Sequence, residues 1–282
     1  MRIKIFIFFL PLILSSCMSK MHFLSSIQCD FPLHSPYPGG VLNIPINNNN
    51  IKKESPLITG NLKFTKCRSS NKYTKIIIPI PLDFKGKKIS AKQEEAFLFN
   101  EYLTEKFYRE SRITISDENL VNPGDDFIPR IKEEYQLSLK AKQIYTPKRL
   151  NAWEMNIPVV GQISSEFGVR RFINDQPKNR HSGIDIYAKE GTVITAPLAG
   201  EAIIASNFFY KGNAIYINHG AGLVSSYSHL SEINIAKGDL VEQGDVIGFV
   251  GQTGRVTGPH LHWEVYLMGI SINPEVFLSK PL

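Results

Sequence analysis

Two histidines stand one residue apart in the stretch GPHLHWEV, residues 258–265. If this stretch is a β-strand, His260 and His262 point to one side of it, because alternate residues share a face, while Leu261 packs on the other side. Two imidazoles on one face can bind a metal ion or transfer protons near neutral pH. Such a pair also occurs as two surface histidines on a half-buried strand, so the pair alone does not decide its role.

A second stretch, HSGID at residues 181–185, adds His181 and Asp185. Gly183 and the glycine-rich surroundings argue against a helix here and favour a turn that enters a strand. On its own this spacing is also typical of a surface hydrogen bond. Taken with the histidine pair, two histidines and one carboxylate form a usual ligand set for a catalytic zinc ion, which keeps a fourth position open for water.

A third stretch, SYSHLS, places His229 on or just after a predicted strand. A lone histidine there is typically held by a backbone carbonyl, and we expect such a structural role for His219 in the turn NHG. An imidazole that does not bind the metal suits acid–base work beside it. The sequence has no HExxH motif, which excludes the helical zinc-peptidase arrangement.

In this order, HSGID, YSHLS and GPHLHWEV resemble the LytM/lysostaphin-type zinc metallopeptidases, which cut peptidoglycan peptides. The resemblance spans roughly residues 158–278 and is specific, because several separated blocks agree in order. The supporting blocks are SSEFGVRR at 164–171, GTVITAP at 191–197, GNAIYINHG at 212–220 and GDVIGFVGQTGRVTGPHLHWEV at 244–265.

The resemblance implies a role for each residue of the three motifs. It makes His181, Asp185 and His262 the ligands of one zinc ion, and it makes His229 and His260 catalytic residues that do not bind the metal. It implies an antiparallel β-barrel-like or sandwich domain with an open groove. The implied reaction is hydrolysis of peptide cross-links in bacterial peptidoglycan by metal-activated water.

The resemblance leaves the cleaved bond open. In Gram-negative walls it implies a D-alanyl–diaminopimelate bond between stem peptides, whereas other relatives cut interpeptide bridges. Three residues are candidates for contacts with the substrate or the oxyanion, namely Tyr227, Asn213 and Arg170. Each has a structural alternative: Tyr227 can pack in the core, Asn213 can stabilise a turn, and Arg170 can lie on the surface.

Two functions without catalysis compete with the enzyme. Some relatives have lost the zinc ligands and activate cell-wall amidases, and a wall-binding module is a further alternative. All three ligand positions and both catalytic histidines are present in this chain, which favours the enzyme.

The composition changes near residue 160, where we expect a domain boundary. Fifteen of the 20 glycines lie at or after Gly161, between β-branched residues, which predicts many short strands and tight turns. The chain is therefore predicted to be mainly β, with the metallopeptidase domain at 158–282. A small β-sandwich at 38–120 precedes it, and a linker at 121–157 joins the two.

The linker is predicted to contain a helix over residues 129–145. Ile131, Tyr135, Leu139 and Lys142 recur there at near-helical spacing, and a proline stands at its start. The segment 38–160 also resembles the N-terminal part of periplasmic family members, in which a β-sandwich with PGG and IPL motifs precedes a linker helix.

Residues 1–17 have the layout of a secretory signal that ends at Cys17: basic residues, a short apolar run and then small residues. The ending LSSC resembles the lipobox of bacterial lipoproteins, which implies a lipid on Cys17 and a tether over 18–37. An ordinary signal with a chance cysteine is the alternative. We expect an exported, periplasmic protein, and Met18 favours anchoring to the outer membrane.

Charge and cysteine content agree with export. The formal net charge is +6, but residues 161–282 hold 9 Lys+Arg against 11 Asp+Glu, so the basic excess lies outside the histidine-rich half. This distribution does not favour a nucleic-acid partner. Cys29 and Cys67 can pair in an oxidising compartment, although their spacing does not decide whether they do.

Overall fold

The computed structural model describes residues 29–52, 56–68, 70–147, 150 and 152–280. The predicted signal at 1–17, with Cys17, and the first part of the predicted tether lie outside these residues. Within them, no helix is both long and apolar enough to cross a membrane.

The described residues form one α-helix, nineteen strands and four short 3₁₀ helices, which confirms the predicted mainly β fold. The N-terminal strands are β1 (Val41–Asn47), β2 (Leu57–Ile58), β3 (Thr65–Arg68), β4 (Tyr73–Pro79), β5 (Lys88–Gln93), β6 (Ala96–Tyr102) and β7 (Glu110–Ile113), followed by helix α1 (Ile128–Lys142). The C-terminal strands are β8 (Gln162–Ser165), β9 (Arg170–Ile173), β10 (Gln176–Pro177), β11 (Ile184–Tyr187), β12 (Val193–Thr195), β13 (Gly200–Phe208), β14 (Gly212–Gly220), β15 (Leu223–Ile233), β16 (Leu240–Val241), β17 (Val246–Val250), β18 (Leu261–Leu267) and β19 (Ile270–Ile272). The 3₁₀ helices are Asn48–Asn50, Glu118–Leu120, Asp125–Phe127 and Pro274–Phe277.

The N-terminal strands form two antiparallel three-stranded sheets, β1-β4-β3 and β2-β5-β6. Leu42, Ile76 and Ile78 of the first sheet share a buried hydrophobic cluster with Ile89 of the second. The alternation of β-branched residues in KIIIPIPL supplies this shared core, since every second side chain of a strand points to the same face.

Ten of the twelve C-terminal strands form an antiparallel sheet, with the path β16-β13-β14-β15-β18-β11-β8, whereas β9 and β10 form a three-stranded sheet with β7, in the order β10-β9-β7. Strand β17 pairs with both β12 and β15, and β19 pairs with β18. The central strands β14, β15 and β18 are almost completely buried. Such strands are covered on both faces and therefore form a rigid platform for side chains.

Helix α1 covers part of one face of this sheet. Ala141 packs against Tyr216 and Tyr266, and Ser138 accepts a hydrogen bond from the Tyr216 hydroxyl at 3.1 Å. The bounds of α1 agree with the predicted helix to within a few residues. The predicted apolar stripe of the helix is not its buried face, because Tyr135 is 62% exposed. The packed face is instead lined by small or polar residues that bond to the sheet.

The N-terminal region at 38–120 is joined to the C-terminal region before α1 begins. Strand β7 pairs in parallel with β9, so residues on either side of the predicted boundaries belong to one sheet. The Asn174 side chain then bonds to both backbone groups of Ile115. The domain boundaries at 120 and 157 stay a prediction.

A disulfide joins Cys29 to Cys67, with 5.9 Å between their Cα atoms. Both cysteines are buried in the large hydrophobic cluster that extends into the C-terminal sheet. The bond therefore ties the start of the described chain to strand β3.

We expect the Cys67→Ser substitution to lower the free energy of unfolding by about 2–5 kcal/mol, because the unfolded chain regains the entropy of a loop of 38 residues. Thermal and urea unfolding of the variant and of wild type, each with and without reductant, measure this. Reductant should destabilise wild type and leave the variant unchanged. Equal unfolding of all four samples would contradict the presence of the disulfide.

Candidate metal centre

A row of polar side chains crosses four neighbouring strands of the C-terminal sheet. Asp185 in β11 lies directly opposite Ser165 in β8 on one side and His262 in β18 on the other, and His262 lies opposite Ser228 in β15. Directly opposite residues of antiparallel strands share a face. The pairing register thus places the second histidine of HLH beside the aspartate of HSGID.

His181 completes a compact cluster with two members of this row. Its Nε2 atom lies 3.0 Å from Asp185 Oδ1 and 3.0 Å from His262 Nδ1, and the latter two atoms are 2.7 Å apart. All three residues are buried. Among the residues that the structure describes, these three form the group of histidine, cysteine and carboxylate side chains that could hold a metal ion.

Groups on the far sides of both rings favour one tautomer of each. His181 Nδ1 donates to the backbone oxygen of Glu166 at 2.7 Å, so its Nε2 lone pair points inward. His262 Nε2 faces the carboxylate of Glu264, with 3.6 Å between Nε2 and Oε2, and this negative charge favours a proton on Nε2 and a lone pair on Nδ1. In these tautomers, three electron-rich atoms meet at one point.

This convergence fits a bound cation. Lone pairs at such short distances repel one another unless a positive charge lies between them. Two imidazole nitrogens and one carboxylate oxygen are a usual protein ligand set for catalytic zinc. A tetrahedral zinc site with bonds of about 2.0–2.1 Å separates its ligand atoms by about 3.3 Å, close to the spacing of this cluster.

Arg171 fixes the orientation of the aspartate. Its guanidinium donates to Oδ2 of Asp185, which leaves Oδ1 directed at the two histidines. Burial alone would raise the pKa of Asp185, but the neighbouring histidines His181 and His262 outweigh it and hold the pKa well below its usual value. The carboxylate is therefore a permanent anion at the centre of the cluster.

Two further histidines lie beside the cluster, and Nε2 of His260 lies 3.8 Å from Oδ1 of Asp185. The ring centroids of His229 and His260 are 5.0 Å apart, and His229 lies 6.0 Å from His262 by the same measure. His229 Nδ1 donates to the backbone oxygen of Thr253, and His260 Nδ1 donates to that of Gly258, both at 2.8 Å. Burial lowers the pKa of both rings. Each is thus a neutral imidazole whose Nε2 can accept a proton.

A break in strand β15 turns His229 towards the cluster. Simple alternation from Ser228 would direct His229 to the opposite face, but the register with β14 shifts between Asn213 and Ile215. His229 has φ +71°, a conformation uncommon for a residue with a Cβ atom. Irregular backbone of this kind concentrates at functional sites, where it re-aims a side chain.

The three predicted substrate residues lie outside this cluster. Tyr227 is fully buried on the opposite face of β15, where its hydroxyl bonds to Ser225 at 2.7 Å, because it stands one residue from Ser228 in the alternation. Asn213 donates to the backbone oxygens of Leu230 and Ser231 and so stabilises the bend near His229.

The third of these residues, Arg170, pairs with Glu110 on the surface at 3.6 Å, whereas the next residue, Arg171, contacts the cluster. Alternation along β9 separates the two arginines, and only the pairing in space shows which one points inward.

Two more residues that sequence reasoning missed are Glu264 and Gly183. Glu264 continues the alternation of His260 and His262, which was the available signal.

Glycine at position 183 is required by close packing. A Cβ atom there would lie 2.2 Å from the backbone oxygen of Trp263 and 2.8 Å from Cγ of Glu264. The glycine of HSGID therefore lets β11 approach β18 closely enough to bring Asp185 beside His262.

Comparison with known proteins agrees with the family resemblance of the three sequence motifs. Residues 179–274 match the sequence profile of Peptidase family M23. The chain is 42% identical over 124 residues to DD-carboxypeptidase/endopeptidase Mpg of Neisseria meningitidis serogroup B, which covers 44% of this chain and 29% of that protein. It is 40% identical over 117 residues to Peptidoglycan DD-endopeptidase ShyC of Vibrio cholerae, which covers 40% of this chain and 26% of that protein. The chain thus spans less than a third of the length of these relatives.

A solved structure is similar over most of the chain. The crystal structure of a provisional M23 peptidase from Pseudomonas aeruginosa superposes with a TM-score of 0.68 and 26% sequence identity, and the match covers 89% of this chain and 98% of that one. The similarity therefore includes the N-terminal sheets. The resemblance inferred from HSGID, YSHLS and GPHLHWEV is confirmed.

We expect Gly183→Ala to cost about 1–3 kcal/mol or more of folding free energy and to weaken metal binding, because the new methyl group must push β11 away from β18. Gly258→Ala is the matched control, since a Cβ atom there meets nothing within 4 Å. Chemical unfolding and a zinc-binding titration measure both effects. Equal behaviour of the two variants would show that close packing at Gly183 is not required.

Proposed function

We propose that this chain, whose residues 179–274 match the profile of Peptidase family M23, is a zinc-dependent endopeptidase that hydrolyses peptide cross-links of bacterial peptidoglycan. The observation that carries the proposal is the convergence of Nε2 of His181, Oδ1 of Asp185 and Nδ1 of His262 to within 3.0 Å of one another. Two neutral imidazoles beside them supply the groups that peptide hydrolysis needs for proton transfer.

One zinc ion is the proposed cofactor, held by Nε2 of His181, Oδ1 of Asp185 and Nδ1 of His262. When bound, such an ion supplies an acidified water and polarises the peptide carbonyl. The protein's part is to keep three ligand atoms fixed and to leave the remaining side open. Arg171 serves this by holding Oδ2 of Asp185.

His229 and His260 are the proposed catalytic residues. Both donate their Nδ1 proton to a backbone oxygen, so both present an Nε2 lone pair beside the three ligands. One Nε2 takes a proton from the attacking water, and a protonated Nε2 returns one to the leaving amine. Because these partners are backbone oxygens, the orientation of each ring is set by the fold.

Stem-peptide cross-links are the proposed substrate. The relative from Vibrio cholerae is named a peptidoglycan DD-endopeptidase and the one from Neisseria meningitidis a DD-carboxypeptidase/endopeptidase. Their names support a D-alanyl–diaminopimelate bond over an interpeptide bridge. Mass spectrometry of the fragments released from purified sacculi identifies the bond.

We expect His262→Ala to lose bound zinc and hydrolysis together, since it removes a ligand. His260→Ala should retain most of the zinc and lose at least about 100-fold in rate, since it removes a proton-transfer group. His34→Ala is the control, because His34 lies in the N-terminal region and pairs with Glu101 at 3.3 Å. Metal analysis of the purified proteins and release of soluble fragments from sacculi, with and without chelator, measure these effects.

Cleavage of sacculi by His262→Ala at the wild-type rate would refute the metal centre. Cleavage by His260→Ala at that rate would refute its catalytic role. Chelator-insensitive release by wild type would show that another mechanism operates.

An exported, lipid-anchored location is proposed from the sequence LSSC before Met18. A lipid on Cys17 would hold the enzyme at a membrane, with the outer membrane favoured, and place it in the periplasm beside its substrate. The disulfide between Cys29 and Cys67 supports an oxidising compartment.

In cells that express the protein, we expect wild type to incorporate radiolabelled fatty acid and to fractionate with membranes. Cys17→Ser should lose the label and leave the membrane fraction, because it removes the acceptor thiol. Cys29→Ser is the control, since it also removes a cysteine but should keep the label. Labelling of Cys17→Ser at the wild-type level would contradict the anchor.

A further inference from the structure

A buried carboxylate lies two residues beyond the ligand His262 in strand β18. Glu264 is 1% exposed, and both of its oxygens are occupied. Ser182 donates to Oε1 at 2.5 Å, and Ser226, directly opposite in β15, donates to Oε2 at 2.8 Å. A carboxylate is rarely buried so completely without a structural or functional partner.

The charge of Glu264 is compensated from within the sheet. The ammonium group of Lys211 donates to Oε2, and the pair is buried against Tyr216. Paired with this ammonium group, Glu264 is a carboxylate anion, and a carboxylate in this form can only accept hydrogen bonds.

The same oxygen faces the metal centre. Oε2 of Glu264 lies 3.6 Å from Nε2 of His262, and the other ring nitrogen, Nδ1, is the atom that faces His181 and Asp185. A proton on Nε2 is stabilised by the anion, so the ring keeps its lone pair on Nδ1. In His181 the equivalent task falls to a backbone oxygen, that of Glu166.

We propose that Glu264 is a positioning residue of the metal centre, which holds the Nε2–H of His262 and so directs its Nδ1 lone pair at the ion. The inference rests on the proposed metal site and goes beyond the ligand set. A carboxylate that accepts from a ligating imidazole fixes the tautomer and the ring orientation, and it raises the basicity of the ligand nitrogen.

The surroundings keep this carboxylate from moving. Its two serine donors come from strand β15 and from the turn before β11, and Lys211 approaches from the start of β14. The close packing at Gly183 confines its Cγ atom. Through Tyr216 the network reaches Ser138 of helix α1, so the linker helix supports the metal centre indirectly.

The test is the zinc affinity of Glu264→Gln in the full chain, measured by competition with a chromophoric chelator. We expect the dissociation constant for zinc to rise about 10–100-fold, because the neutral amide stabilises the Nε2 proton less. Glu134→Gln is the matched control, since Glu134 is a paired carboxylate on α1 that accepts from Arg130 and from the amide of Phe209. The control should bind zinc like wild type.

A second variant, Glu264→Asp, provides the test if Glu264→Gln does not fold. Glu264→Asp keeps the charge near Lys211 but withdraws the oxygen from His262, so it should also bind zinc more weakly. Substitution with Co²⁺ reports on ligand geometry, and we expect the visible absorption spectrum of the variants to differ from that of wild type. Far-UV circular dichroism and unfolding of the metal-free proteins show whether each variant is folded.

Wild-type zinc affinity and an unchanged Co²⁺ spectrum in a folded Glu264 variant would overturn the proposal. Equal weakening in Glu134→Gln would overturn it too, since the effect would then follow from any lost buried charge. These readouts do not use hydrolysis. If wild type binds zinc but releases nothing from sacculi, the proposed function fails while this inference stands; if wild type binds no zinc, both fail.

Discussion

The repulsion among three inward lone pairs is the constraint on which the site depends. Nε2 of His181, Oδ1 of Asp185 and Nδ1 of His262 lie 2.7–3.0 Å from one another, away from bulk water. A group on the far side of each residue holds it in place. The backbone oxygen of Glu166 holds His181, Arg171 holds Asp185, and Glu264 holds His262. A protein holds such atoms together at a cost in folding free energy that a bound cation offsets.

The pairing register of the antiparallel sheet makes this convergence possible. Because β11, β18 and β15 pair without an offset around Asp185, His262 and Ser228, one row of side chains crosses the sheet on one face. A shift of one residue would send His262 to the opposite face and disperse the ligands. The register shift of β15 against β14 departs from this regularity, and it brings His229 to the face from which simple alternation would exclude it.

The N-terminal half contributes to the same unit. Strand β7 pairs with β9, which carries Arg171, and α1 contacts Tyr216, which packs beside Lys211 and Glu264. The metal centre is therefore supported from behind by residues far from its motifs in the chain. The structural similarity to the Pseudomonas aeruginosa protein covers both halves.

Sequence alone predicted the mainly β fold and the helix near residues 129–145, because strand and helix periodicity are local properties. It indicated His181, Asp185, His229, His260 and His262 through the resemblance of three motifs to a known family. It did not distinguish Arg171 from Arg170, nor did it find Glu264, since their roles depend on which strands become neighbours. It also offered Tyr227 as a site residue, whereas the pairing of β15 buries that ring in the core. The chain specifies which side chains share a face of one strand; the tertiary structure decides which strands, and hence which side chains, meet.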